Sequence, residues 1–162
     1  MSVDWSKVAF KGEKRFLSNM YKSSFIFSQN FGFDFIPDNR LYKSREHLYQ
    51  AFKSTNLEYQ ELIRNLDEPK DTKKISDALI GTKYPLRDDW EEIKLPLMHM
   101  ALLLKFTQNK ELAQKLLATK GHIEEQNSWG DTFWGTCEGI GANHLGKLLM
   151  EVREYLIKEI KN

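Results

Sequence analysis

Cysteine is almost missing from this sequence, which has one, Cys137, in 162 residues. No intramolecular disulfide is available and a cysteine-rich zinc site is excluded, so the fold rests on apolar burial, and a reducing cytoplasm is the expected setting. Charge of one sign is missing too. The 24 Lys and Arg face 23 Asp and Glu, and the formal net charge of +1 leaves no broad cationic footprint for a phosphate backbone. Long hydrophobic runs are also lacking: the most apolar stretch, Leu95 to Phe106, is broken by His99 and Lys105. It falls well short of the roughly 20 residues that span a bilayer. The N-terminal MSVDWSKVAFKGEKRF mixes charges among its apolar residues where a secretory signal needs an uninterrupted apolar core, so neither membrane insertion nor export is expected. With no fixed-period repeat, low-complexity tract or Pro/Ser-rich linker, residues 1–162 are expected to form a single domain.

What is present is apolar and aromatic material, 41% and 12% of the chain, enough for a core. Up to Ser44 the alternating runs Ser24 to Phe27 and Phe31 to Ile36 predict short strands between turns. Beyond Ser44 the apolar spacing becomes three and four, and helices are expected. The first opens on Ser44 as N-cap and buries Leu48, Ala51 and Phe52; a second buries Tyr59, Leu62, Ile63 and Leu66. A third starts at Pro69, turns Ile75, Ala78 and Leu79 inward and stops at Gly81. Asp88 or Asp89 caps a long fourth, with Trp90, Ile93, Leu97, Met100, Ala101 and Leu104 inward and Pro96 kinking or restarting it. A short helix around Leu112 and Leu116 precedes a last one from about Asn143, whose stripe is Leu145, Leu148, Leu149, Val152, Leu156 and Ile160. The class is α+β, mostly helical, with short N-terminal strands.

Two places carry chemistry. On the first helix Glu46, Tyr49, Gln50 and Lys53 fall at i, i+3, i+4 and i+7 and share a face. A carboxylate, phenol, amide and amine so placed suit a site in which Glu46 works on a proton or water and Lys53 holds an anion, although such a face on an ordinary helix looks into water. The second place is the run from Asn127 to Gly146, where glycines let backbone amides approach a ligand, Trp129 and Trp134 offer flat faces for a base, and the following helix N-terminus attracts anions. Core packing around a tight turn is the competing use of those tryptophans. Gly139-x-Gly141 is no dinucleotide fingerprint, because no buried strand precedes it and the third glycine is missing. The four histidines show no metal-ligand spacing, so no metal is expected.

In order and spacing the chain resembles the NADAR, or YbiA-like, domain along nearly its whole length. The pieces that carry the resemblance are Phe16-Leu17-Ser18-Asn19-Met20-Tyr21, then Tyr42 through Ser44-Arg45-Glu46-His47 to Lys53, and Gly81 through Pro85-Leu86-Arg87 to Trp90. Lys105-Phe106-Thr107-Gln108-Asn109, Asp131-x-x-Trp134-Gly135 and Asn143-x-Leu145-Gly146 follow. The resemblance implies an N-glycosidase without a cofactor, in which water cleaves the bond between ribose C1 and a base-like nitrogen. Its implied substrates are phosphorylated ribosylamino-pyrimidine intermediates of riboflavin synthesis or, alternatively, ADP-ribosylated guanine. Nucleic acid enters through that second substrate and not through net charge; a non-catalytic module binding ADP-ribose or NAD is the alternative of another class.

Carried over by position, the catalytic pair is Glu46 and Asp131, and Trp90 and Trp134 lie near the substrate. Asn19, Tyr49, Lys53, Arg87, Gly135 and Asn143 are the further substrate-binding candidates, with Lys53, Arg87 and the amides of the helix starting near Asn143 expected to hold phosphate. One departure stands out: many relatives follow Trp-Gly with more glycines, whereas Thr136, Cys137 and Glu138 come first here. Lys70, Lys73, Lys74 and Lys83 are the residues from which a basic patch beside the site would be built.

Overall fold

Ser44 opens the first helix as expected: its backbone is extended (φ −160°, ψ 166°) and its Oγ accepts the His47 amide at 3.2 Å, a partner the first turn otherwise lacks. Helix α1 runs from there as Arg45–Ala51. The structure, a computed structural model, describes residue 10, residues 12–27 and residues 39–162. These belong to two compact units, Lys22–Asn109 and Met1–Tyr21 with Lys110–Asn162.

In the unit Lys22–Asn109, β1 (Phe25–Phe27) pairs antiparallel with β2 (Arg40–Tyr42), Phe25 opposite Tyr42 and Ile26 opposite Leu41. The period of two places Phe25, Phe27 and Tyr42 inside and Ile26 and Leu41 outside. The strand expected at Phe31 to Ile36 lies outside the described residues. Asn56 caps α2 (Leu57–Arg64) by accepting the Tyr59 amide at 3.1 Å. Helix α3 (Pro69–Leu79) starts on the expected proline and is followed by Gly81 at φ +84°. Helix α4 (Trp90–Gln108) carries Pro96 inside one continuous element instead of restarting there. Burial of Leu97, Met98, Ala101, Leu102, Leu104 and Phe106 outweighs the single hydrogen bond that the ring removes.

Helix α1 packs against α2, α3 and α4, so it is the centre of this unit. Its Leu48, Ala51 and Phe52 join Phe25, Phe27, Tyr42, Tyr59, Ile63, Leu97 and Ala101 in one apolar cluster, with the Phe27 and Phe52 rings 5.5 Å apart. Two expected core positions are corrected: Leu62 is 44% exposed and Ala78 is exposed. Ile75 and Leu79 are half-buried, and α3 presents Thr72 and Ser76 inward. Hydrogen bonding makes this tolerable. Thr72 Oγ1 donates to the Pro69 carbonyl at 2.6 Å, and the Tyr59 hydroxyl donates to the Gln50 carbonyl at 2.8 Å and meets Ser76 Oγ at 2.9 Å.

The other unit contains a 3-10 helix Gly12–Leu17, α5 (Lys110–Ala118), β3 (Gln126–Asn127), β4 (Thr136–Cys137) and α6 (His144–Lys161). Helices α5 and α6 pack together, burying Leu112, Leu116, Leu145, Leu149, Val152 and Leu156; Leu148 is half-buried and Ile160, expected inside, is 70% exposed near the helix end. Strands β3 and β4 form a two-residue parallel ladder inside the stretch expected to be loop. Cys137 and Ile140 exchange backbone hydrogen bonds of 2.9 and 3.0 Å around Glu138 (φ 53°) and Gly139 (φ 79°), a reverse turn with both central residues left-handed.

Candidate functional site

The face of α1 that polarity alone assigns to water lies partly inside. Glu46 and Gln50, one turn apart, are 3% and 2% exposed, and Gln50 Nε2 donates to Glu46 Oε1 at 2.5 Å. Tyr49 and Lys53 are half-buried. The Tyr49 ring meets Trp90 edge to face at 5.0 Å, and the Lys53 ammonium lies 5.6 Å from the Tyr49 centroid and 5.8 Å from that of Trp90, within cation–π range of both. Burial pushes the Lys53 pKa below its ordinary value, with the Glu46 and Asp77 carboxylates opposing. The helix ends at Ala51, short of Lys53, so the carboxylate is on α1 and the ammonium over the two rings is in the turn that follows it, beside α4.

Arg87 is tied to this set through its backbone, whose amide donates to the Lys53 carbonyl at 2.8 Å. Its guanidinium fork closes on Asp89, Nε to Oδ1 at 2.6 Å and Nη2 to Oδ2 at 3.1 Å, and Nη1 reaches the Phe52 carbonyl at 3.4 Å. The arginine hydrogen bond holds the Asp89 carboxyl below its usual range. It also diverts Asp89 from capping α4 with its side chain.

Asp131, Trp134, Gly135 and Asn143 belong to the other unit. Asp131 Oδ1 accepts the amides of Phe133 and Trp134 at 3.0 and 2.9 Å, a side-chain-closed turn that the Asn127 amide braces from the Asp131 backbone. Trp134 is half-buried and stacks edge to face on Phe133 at 4.8 Å, while Trp129 is 59% exposed. Gly135 is needed for space, since a Cβ there runs into the Glu125 side chain and carbonyl. Asn143 is a structural link: Nδ2 donates to the Ile123 carbonyl at 3.0 Å and Oδ1 accepts the Glu125 amide at 3.0 Å. The phosphate-holding role expected of the helix start is not what the geometry offers. The amides of Asn143, His144 and Leu145 donate to the carbonyls of Gly135, Phe133 and Trp134 at 3.2, 3.1 and 2.9 Å. Asn19 is half-buried, with Oδ1 accepting Ser18 Oγ at 3.3 Å.

Beyond Gln50, already on the polar face read from spacing, Lys105 and Arg45 stand out only in the structure. Gln50 joins Glu46, and its signal is the i, i+4 spacing. Lys105 is fully buried on α4, where burial and the Arg45 guanidinium push its pKa well down; Arg45 itself donates to Met98 Sδ at 3.0 Å. The candidate basic patch is solvent-exposed, with Lys73 paired to Asp77 at 2.9 Å. Among the described residues no group of three or more His, Cys, Asp or Glu is placed to hold a metal ion, and no helix is long and apolar enough to cross a membrane.

An α+β fold whose central helix carries a buried, amide-held carboxylate, with a cation backed by aromatic rings in the turn after it, suits hydrolysis of an anionic substrate. A family model for the NADAR domain matches residues 8–157, and the chain belongs to that family. N-glycosidase YbiA of Escherichia coli is 38% identical over 125 residues, 75% of each chain. A riboflavin biosynthesis protein of Vibrio vulnificus is 33% identical over 142 residues, 87% of this chain and 35% of that one. The solution structure of E. coli YbiA matches with a TM-score of 0.75 at 30% identity, covering 94% of this chain and 84% of that chain.

Proposed function

We propose that this chain, an N-glycosidase of the NADAR family, hydrolyses phosphorylated ribosylamino-pyrimidine intermediates of riboflavin synthesis. The observation that carries the chemistry is the buried Glu46 carboxylate fixed by Gln50 on α1, with Lys53 in the turn that follows the helix. The substrate class is supported by the names of two relatives, one an N-glycosidase and one a riboflavin biosynthesis protein.

In this mechanism a water oxygen bonds to ribose C1 as the C1–N bond breaks, its electron pair passing to nitrogen and cationic, oxocarbenium character developing at the sugar. Glu46 stabilises that cation and accepts the water proton, and the departing nitrogen gains a proton. Lys53 holds the substrate phosphate, Trp90 walls the base and Tyr49 orients Lys53. Asp131 is the second carboxylate of this assignment, orienting ribose hydroxyls or water or protonating the leaving nitrogen. Trp134, Gly135 and Asn19 are its further substrate-binding residues, while Arg87 contacts phosphate only by exchanging Asp89 for it.

Chromatography and mass spectrometry after incubation with a phosphorylated ribosylamino-pyrimidine, and separately with an ADP-ribosylated guanine oligonucleotide, test this. Ribose 5-phosphate from the first alone supports the proposal. ADP-ribose from the second replaces the substrate class and turns Lys70, Lys73, Lys74 and Lys83 into a testable nucleic-acid surface. Glu46→Gln lowers the rate about 10²- to 10⁴-fold if the carboxylate does the chemistry. A folded Glu46→Gln protein with full activity overturns the mechanism, and uncleaved but tightly held ADP-ribose points to a binding module.

A further inference from the structure

One side chain beside the carboxylate has work left over. Gln50 is 2% exposed, and its amide nitrogen is engaged by Glu46 at 2.5 Å, yet its Oε1 is buried and has no hydrogen-bond partner among the described residues. A buried acceptor without a donor costs folding free energy, and a methionine or leucine of similar volume avoids that cost. Its backbone does not explain the choice of glutamine, because the Gln50 carbonyl is anchored by the Tyr59 hydroxyl at 2.8 Å whatever the side chain. An amide is distinguished from an apolar side chain of the same size by one property: it donates from one arm and accepts on the other. The donor arm holds the proposed catalytic carboxylate, and the buried acceptor arm lacks a donor.

We propose that Gln50 is the positioning residue for the nucleophile: Nε2 fixes the orientation of Glu46 while Oε1 accepts a hydrogen bond from the water that Glu46 deprotonates. This rests on the N-glycosidase mechanism with Glu46 given above. The water is then held by two acceptors one helical turn apart, Gln50 Oε1 and the Glu46 carboxylate, and its oxygen lone pair is left for ribose C1. One O–H proton passes to Glu46 as the C1–O bond forms, the other stays on the product hydroxyl, and Gln50 neither gains nor loses a proton. The sequence spacing makes the arrangement local, since residues i and i+4 of one helix keep their relation through any movement of the helix as a body.

The experiment compares wild type, Glu46→Gln and Gln50→Met on a phosphorylated ribosylamino-pyrimidine, in water and in water–methanol mixtures, with circular dichroism to establish folding. Gln50→Met is expected to keep KM within about threefold and to lower kcat about ten- to a hundredfold, the scale of a misplaced reacting group. It is also expected to raise the fraction of product trapped as methyl riboside, because a nucleophile no longer held by its acceptor loses its advantage over methanol. A residue that serves only the fold leaves this partition unchanged. If Glu46→Gln is inactive while folded Gln50→Met keeps the wild-type kcat and partition, the role of Gln50 is overturned and the mechanism stands. If Glu46→Gln keeps full activity, the mechanism falls and the positioning role falls with it. Should Gln50→Met fail to fold, Gln50→Leu, which likewise has neither donor nor acceptor, is read by the same two criteria.

Discussion

His47 Nε2 lies 2.7 Å from the Leu66 carbonyl oxygen, nineteen residues away, and fastens the start of α1 to the segment that follows α2. A carbonyl only accepts, so Nε2 carries the proton and Nδ1, 2.7 Å from Ser44 Oγ, accepts from that hydroxyl. Burial holds the imidazole below its ordinary value of 6.5. As pH falls the unfolded chain therefore takes up this proton first. Stability that is fully present above pH 6.5 is lost as pH drops below it toward the folded value. Urea unfolding at pH 7.5, 6.5 and 5.5 should show a flatter loss in His47→Gln than in wild type, and equal slopes would remove His47 as the cause.

Lys53 gives the activity an alkaline edge. Its pKa is lowered by burial, so it sheds its charge at a pH below the ordinary 10.5, and affinity for a phosphorylated substrate should fall there. Lys53→Met should raise KM about tenfold or more, the scale of a hydrogen bond to a charged group, with a smaller change in kcat. Lys53→Arg, charged throughout, should lose the alkaline rise in KM. An unchanged KM in Lys53→Met assigns the phosphate elsewhere.

Two glycines in the Gly-rich segment should answer alanine differently. At Gly135 the new Cβ meets the carbonyl and side chain of Glu125, so Gly135→Ala should cost more than about 3 kcal/mol, at the upper end of single substitutions. At Gly139 nothing lies within 4 Å and only φ +79° objects, so Gly139→Ala should cost about 1–2 kcal/mol. Denaturant titration separates the two, and similar values would mean that the approach to Glu125 relaxes easily.

The Arg87–Asp89 pair is asymmetric. The Arg87 side chain is 6% exposed and keeps a bond to the Phe52 carbonyl, whereas Asp89 is 45% exposed. Asp89→Asn should cost less than about 1 kcal/mol, as exposed pairs do, and Arg87→Ala about 1–3 kcal/mol because it strips a buried carbonyl of its donor. If Asp89 competes with substrate phosphate for the fork, Asp89→Asn also lowers KM, which steady-state kinetics detects.

Most helices were legible because apolar spacing and end signals agree: Ser44 caps α1, Pro69 starts α3 and Gly81 follows its end. The errors share a cause. Leu62, Ala78 and Ile160 fit the apolar stripe yet point out, and Thr72, Ser76, Glu46 and Gln50 break it yet lie inside. Burial of those polar groups is decided by partners distant in sequence, such as the Tyr59 hydroxyl for Ser76, which periodicity does not register. The ladder of β3 and β4 is two residues long and has no period to find. At the candidate site, spacing brought Glu46, Tyr49, Gln50 and Lys53 onto one face, and the family resemblance singled out Glu46. The occupation of Asn143 and of the first amides of α6 by neighbouring carbonyls could not be read from residue types, since the same sequence would also suit a ligand.

The division of the chain also fixes an order of assembly during synthesis. Lys22–Asn109 is contiguous and has all its parts once Asn109 has left the ribosome, whereas the other unit joins the stretch that holds Phe16 and Leu17 to α5 and α6. The contact of the Lys115 ammonium with the Phe16 ring, 5.9 Å from its centroid, joins the two stretches. At about 5–20 residues per second the last stretch takes on the order of several seconds to make, and through that interval two large apolar side chains destined for burial have no permanent cover. Slower synthesis of residues 110–162 therefore lengthens the time for which Phe16 and Leu17 wait for the partners that bury them.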